Sequence, residues 1–301
     1  MKKILITGGS GMIGRKITKQ LLRNDYEVAW LSRSSDDEGQ KTFIWDISQK
    51  VIDPEAIKWA DGIIHLAGAS VAEKRWTEER KKIILNSRIA STQLLFDAIR
   101  VEEDKPKVII SASAVNYYGM DTGETLLTEE DKPGEAFLSE VVKKWEEEVK
   151  KIESLHIRTV MLRIGIVLSL EGGALPELLK PPVAAPLGTG EQYMSWIHIS
   201  DLARMFRYAL INDQVHGPYN AAAPKPVKNR ELTEKAAKLK GKPFINIGVP
   251  AFGLKLFLGE MADMVIGGNK LSTSKIQSAG FKFRYATVDD ALGQLFYQYK
   301  E

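Results

Sequence analysis

Lys3-Ile4-Leu5-Ile6 is a short apolar run of the kind that fills a strand buried on both faces, and it stops at Thr7-Gly8-Gly9. From Gly11 onward the apolar residues switch period: Ile13, Ile17, Leu21 and Leu22 fall at helical spacing. The same alternation of apolar runs and helical patterns continues along the first half of the chain. Further strands are expected at 27–31, 62–66, 107–111 and 159–163, with helices over 78–100 and 137–152 between them. Strands that alternate with helices in this way predict an α/β fold, a Rossmann-type doubly wound parallel sheet with helices on both faces. Past Gly165 the texture changes. Residues 171–190 are rich in proline and glycine, a long irregular connection of the sort that carries function more often than not. Helical patterns follow, with extended pieces at 195–199 and 244–249. The expected division is an NADP-binding Rossmann domain at 1–165 and a smaller, mixed, mainly substrate-binding region at 166–301, with a return of strands from that region to the first sheet left open.

The chemistry begins at the change of period. Thr7-Gly8-Gly9-Ser10-Gly11-Met12-Ile13-Gly14 reads G-x-x-G-x-x-G between a strand and a helix. A strand that runs through glycines into a helix aims free amides and the positive end of the helix dipole at one point, which suits a pyrophosphate. A dinucleotide cofactor is therefore expected there. Where NAD sites commonly place an acid at the end of the second strand, this chain has Ser32-Arg33-Ser34. A guanidinium with hydroxyls beside it suits a 2′-phosphate, so the expected cofactor is NADP(H), with Arg33 and Ser34 as its readers. The alternative is a solvated Arg33, with Asp36 or Asp37 turning back to serve NAD. Asp46 and Ile47 are candidates for the adenine edge, although an aspartate in a loop also serves as a turn former.

Composition narrows the class of protein without choosing a reaction. The 42 basic and 39 acidic residues of the 301-residue chain leave a net charge of +3, which gives no electrostatic case for nucleic acid. With no cysteine, disulfides, Fe–S clusters and thiol chemistry are excluded. The four histidines show no metal-ligand spacing, so no metal is expected. The apolar start ends too early for a secretory signal, and 251–268 is interrupted by Lys255, Glu260 and Asp263, as in an amphipathic helix and not a membrane span. A cytoplasmic protein without a membrane partner, a monomer or homodimer acting on a small molecule, is the expectation.

The residues resemble the extended short-chain dehydrogenase/reductase superfamily. The carriers are the glycine turn, His65-Leu66-Ala67-Gly68-Ala69, Asn86 ahead of Ser91-Thr92, Ser111-Ala112-Ser113 before Tyr118-Gly119, and Leu162-Arg163-Ile164-Gly165. Arg75-Trp76, Ser87-Arg88, Tyr117-Tyr118-Gly119, Trp145-Glu146, Ser195-Trp196-Ile197-His198-Ile199 and Gly280-Phe281 extend the likeness to the "epimerase family" proteins within the NAD-dependent epimerase/dehydratase group. The 181–186 segment fits least well. The resemblance implies a Rossmann domain that binds NADP(H) and a C-terminal substrate region, with Leu66, Ala67, Gly68, Ala69 and Arg163 near the cofactor; it supplies no substrate.

It also exposes a departure. The superfamily usually carries a tyrosine with a lysine four residues later on one helical face, a pair that exchanges the substrate proton. None of the nine tyrosines here has lysine at that position. Counting back from Glu146 places Leu138 and Val142 at the two positions, and a shift of one residue gives Phe137 and Val141. Ser113 is the candidate to polarise a substrate oxygen, or else a hydroxyl that satisfies a strand end. Tyr117 and Tyr118 either face the nicotinamide or pack as aromatics. Arg75, Trp76, Arg88, Trp196 and His198 form a candidate substrate lining suited to a planar or anionic ligand. The alternatives are interface packing for the tryptophans, an acidic partner for Arg88 and a structural place for His198 at a strand-to-helix transition. Two functions follow: an NADP(H)-dependent oxidoreductase or epimerase-like enzyme on a small polar metabolite, or a non-catalytic NADP(H)-binding sensor.

Overall fold

The computed structural model describes residues 1–34 and 39–297. Eight strands form the central sheet. In chain order they are β1 (Lys3–Thr7), β2 (Glu27–Ser32), β3 (Thr42–Asp46), β4 (Val51–Ile52), β5 (Gly62–His65) and β6 (Val108–Ala114). After a short β7 (Leu126–Leu127) comes β8 (Arg158–Ile164), and beyond the small strands β9 (Ile166–Leu168), β10 (Tyr193–Met194) and β11 (Trp196–His198) comes β12 (Gly217–Ala221). The spatial order is β12-β8-β6-β5-β1-β2-β3-β4, parallel throughout except for the final β3–β4 pair. From β1 the chain winds one way to β2 and β3, then returns to the other side of β1 at β5. The reversal leaves a crevice at the carboxyl ends of β1 and β5, where open α/β sheets bind ligands.

Period-two alternation in β1 explains why both faces are covered. Ile4 and Ile6 enter one core with Ile17 and Leu21 of α1 (Met12–Leu22), while Leu5 enters the opposite core. That second core is closed by α2 (Pro54–Trp59) and α3 (Glu78–Arg100) through Ala56, Ile57, Leu94, Leu95 and Ile99. Helix α4 (Phe137–Lys151) packs beside α3; after the short α5 (Ala174–Leu178), α6 (Ile199–Ile211) joins α1 and brings Leu202, Met205 and Phe206 into the first core. The doubly wound α/β architecture expected from the alternation is the one observed.

Two strands escape the periodic reading. Thr42–Asp46 mixes exposed and buried positions, and Gly217–Ala221 contains a proline. Pro218 is tolerated because β12 lies at the sheet edge. Residues 166–301 therefore contribute β12 to the main sheet and α6 to the first core, and also build a third core around Trp196 with α7 (Asn229–Lys240). The 171–190 connection is held at two points, where Ala184 bridges Phe244 and Leu187 bridges Val249. Residues 251–268 do not form one helix. They divide into α8 (Ala251–Leu258), a 3₁₀ turn and α9 (Asp263–Ile266), since the chain turns at Gly259. Helix α8 buries none of its residues. Strand β13 (Val227–Lys228) pairs with β10; the short α10 (Ser274–Ser278) follows β14 (Lys270–Leu271), which pairs with β7, and α11 (Val288–Tyr297) closes the third core.

Candidate functional site

The glycine turn lies at the crevice. No side chain caps α1 at Gly11 and no acid stands in its first turn. Among the described residues the amides of Met12, Ile13 and Gly14 have no partner within the chain, so a helix N-terminus with free donors faces the switch point. Packing fixes the glycines. A Cβ on Gly14 would drive into the carbonyl oxygens of Gly8 and Gly9, and one on Gly9 into the Trp30 indole. Ser10 is exposed, and its carbonyl accepts from Arg15 at 2.6 Å.

Thr7 is buried and ties β1 to β5. Its Oγ1 accepts from the amides of Leu66 and Ala67, each at 3.1 Å, so its own proton goes to His65 Nδ1 at 2.8 Å. His65 Nε2 then carries the ring proton and donates to Thr92 Oγ1 at 3.1 Å. Burial, with Arg88 adding to it, lowers the His65 pKa to about 3, so the ring is neutral. This chain of bonds holds Leu66, Ala67, Gly68 and Ala69 against the glycine turn. Ser87 and Arg88 of α3 grip the same segment from below: Ser87 Oγ accepts from the Ala69 amide, and Arg88 Nη1 donates to the carbonyls of Ala69 and Ile84.

Arg33 and Ser34 follow β2 and are exposed. Asp36 and Asp37, the alternative readers, lie outside the described residues. Asp46 accepts from the Ser48 amide, the Ser48 hydroxyl and the Gln49 amide, a turn that holds its carboxyl below the usual range. Ile47 packs on the second core.

At the end of β6, Ser113 donates to Glu146 Oε1 at 2.6 Å. Arg163 of β8 meets the same carboxylate through two bonds of 2.9 Å, and both side chains are almost wholly buried. Arg163 Nη1 also donates to the Tyr118 hydroxyl at 3.0 Å and to the Glu129 carbonyl, and its guanidinium lies 3.5 Å from the Tyr117 ring centre. Tyr118 passes its proton to Asn220 Oδ1 at 2.7 Å. Burial pushes Tyr118 up to about 12 against the pull of Arg163, which keeps it a phenol at neutral pH. Burial opposes the charge on Arg163, but Glu146 outweighs it and keeps the guanidinium protonated. On α4, Leu138, Val141 and Val142 are buried.

The substrate candidates do not converge on one point. Trp196 is fully buried in the third core and donates to the Lys225 carbonyl. Half-buried Trp76 donates to the Val71 carbonyl and packs edge-on against Phe137, while exposed Arg75 donates to the Leu256 carbonyl of α8. His198 caps α6 by accepting from the Ser200 amide and lines a cavity of about 190 Å³ with Lys16, Ser169, Glu171 and Gln294. Burial lowers its pKa to about 4. Arg88 alone of the five lies beneath the cofactor-side segment. Sequence reasoning missed Asn220 and Glu129, which complete the buried network; Asn220 sits in the unread β12 and carried no motif. Among the described residues no group of three or more His, Asp or Glu is placed to hold a metal.

The comparisons agree with this geometry. The sequence model of the NAD dependent epimerase/dehydratase family matches residues 4–222, and a domain of unknown function, DUF1731, matches 249–295. Epimerase family protein YfhF of Bacillus subtilis is 37% identical over 97% of both chains, and epimerase family protein SAR0825 of Staphylococcus aureus is 34% identical over 98% of this chain and 99% of its own. The crystal structure of human epimerase family protein SDR39U1, solved with NADPH, superposes with a TM-score of 0.87 at 29% identity, covering 98% of this chain and 99% of that one. A nucleoside-diphosphate sugar epimerase from Corynebacterium glutamicum gives 0.80 at 29% identity, over 98% of this chain and 58% of that one. With its Rossmann sheet, uncapped glycine turn and end-to-end relatives, the chain belongs to the NAD dependent epimerase/dehydratase family.

Proposed function

We propose that this chain is an NADP(H)-dependent oxidoreductase or epimerase-like enzyme acting on a small polar metabolite. One observation carries the reading: an uncapped helix N-terminus at the switch point of the sheet, with exposed Arg33 and Ser34 at the end of the neighbouring strand. The free amides of Met12, Ile13 and Gly14 would take the diphosphate. Arg33 and Ser34 would take the 2′-phosphate, with Asp46 and Ile47 toward the adenine and Leu66 to Ala69 along the ribose. The human relative with NADPH supports the choice over NAD. The bound cofactor supplies or accepts hydride. Ser113, held by Glu146 and Arg163, would polarise the substrate oxygen, with Tyr117 or a water delivering the proton. Arg75, Trp76 and His198 belong to the substrate side in this reading. General acid–base help is typically worth about 10²–10⁴-fold, so turnover without the tyrosine–lysine pair is expected to be slow. A cytoplasmic location is part of the proposal; no described helix is long and apolar enough to cross a membrane.

A second reading, an NADP(H)-binding sensor without turnover, is favoured by one feature. The hydroxyls of Ser113 and Tyr118 are both committed inside a buried network. Titration of the purified protein with NADPH and NADH, followed by a screen of NADPH oxidation over carbonyl compounds and nucleotide sugars, separates the readings. NADPH is expected to bind at least tenfold more tightly than NADH, and Arg33→Asp to erase that preference. Equal affinity for both would sink the NADP(H) assignment. Tight NADPH binding with no turnover, unaltered in Ser113→Ala, selects the sensor.

A further inference from the structure

We propose that Arg88 binds the nicotinamide-side ribose phosphate of the cofactor, supplying from α3 the cation that α4 lacks. The inference rests on the NADP(H) reading above and goes beyond it in assigning the second half of the dinucleotide. Helix α4 offers no cation to the site where the usual lysine would stand, since Val142 is buried and apolar. Val142, Trp145 and Glu146 share one face of α4 by their i, i+3 and i+4 spacing. Arg88 reaches that face from the opposite helix, its guanidinium 5.3 Å from the Trp145 ring centre.

The bonding of Arg88 is incomplete. Nη1 is used on the carbonyls of Ala69 and Ile84, while Nε and Nη2 have no partner among the described residues. Three other arginines that reach into the protein have carboxylates: Arg163 has Glu146, Arg158 has Asp213, and Arg204 has Asp201. No ion pair within 4 Å joins Arg88 to a described carboxylate, and the charge that acts on it is that of the like-charged Arg80. Burial, then Arg80, lowers the Arg88 pKa to about 10, so an arriving anion meets a guanidinium short of counter-charge.

The position fits the second half of a dinucleotide. Along the carboxyl edge of the sheet stand Arg33 after β2, the glycine turn after β1, the Leu66 to Ala69 segment after β5, and Ser113 at β6. Neighbouring strands are about 4.8 Å apart, so a cofactor with its 2′-phosphate at β2 and diphosphate at β1 carries its next ribose over β5. Arg88 lies directly under that segment; a Cβ on Gly68 would stand 3.1 Å from its Cζ.

A purely structural Arg88, holding the Ala69 loop, makes a different prediction, and half-cofactors separate the two. Affinities of wild type, Arg88→Gln and Arg88→Lys are measured calorimetrically for NADPH and for adenosine 2′,5′-bisphosphate, which lacks the second phosphate and ribose. A charged hydrogen bond is worth enough that Arg88→Gln should weaken NADPH about 10- to 100-fold, with the bisphosphate within about twofold of wild type. Lysine should restore part of the loss, and melting temperatures certify that each variant is folded. Unchanged NADPH affinity in Arg88→Gln, or equal loss for both ligands, overturns the proposal. Failure of the wild type to bind NADPH would instead remove the NADP(H) reading beneath it.

Discussion

The buried pair of Glu146 and Arg163 offers the sharpest test of how this site is built. Arg163→Met keeps the length of the side chain and removes four donated hydrogen bonds: two to Glu146, one to Tyr118 and one to the Glu129 carbonyl. It leaves a carboxylate at 3% exposure with only the Ser113 hydroxyl beside it. Breaking a buried pair from one side costs about 3–5 kcal/mol, because the survivor is an uncompensated charge. Unfolding entropy near 2.1 cal/mol/K per residue makes that a fall of about 5–8 °C in Tm for a chain of this length. Removing both charges, in Arg163→Met with Glu146→Leu, should return at least half of the loss, since an apolar replacement of a buried pair is often close to neutral. Urea unfolding of the two singles, the double and the wild type completes the cycle. A cost under about 1 kcal/mol for Arg163→Met, or a double mutant as unstable as the sum of its singles, would refute a desolvated, charge-compensating pair.

Three further outcomes are expected. Gly14→Ala pushes a methyl into the Gly8 and Gly9 carbonyls, so it should abolish detectable NADPH binding in a fluorescence titration and lower Tm; retained affinity would mean that the turn does not seat the diphosphate. His65 is neutral when folded, with its pKa lowered to about 3, and titrates near 6.5 when unfolded. The unfolded chain thus binds more protons between these values, and the His65 contribution is present above pH 6.5 and lost as pH falls toward 3. About 2 kcal/mol should go between pH 7 and pH 5, with a shallower fall in His65→Gln by urea unfolding. Phe252 and Phe257 on α8 are each 79% exposed, so changing either to serine should move the unfolding free energy by less than about 0.5 kcal/mol. A larger loss would show that the helix is packed.

The order of elements was legible in the chain because each depends on neighbours in sequence. Periods of two and 3.6, and glycines between a strand and a helix, identified β1, α1 and the doubly wound sheet before any contact was known. Arg33 was legible as the residue after the second strand for the same reason. What the chain alone left open depended on partners far along it. Arg163 and Ser113 were separate candidates until Glu146 was seen to join them, and only the packing of β6, α4 and β8 brings the three together. Trp196 looked like a substrate stacker and lies in the third core, because β11 pairs with β9 in a region whose pairing partners are scattered along the chain. Arg88 had two readings, and the absence of an ion pair from it to any described carboxylate is a fact of three dimensions. Local periodicity fixed the strand–turn–helix frame; charge compensation in a low-dielectric interior, which depends on distance and not on sequence separation, decided which side chains are committed and which are left to meet a ligand.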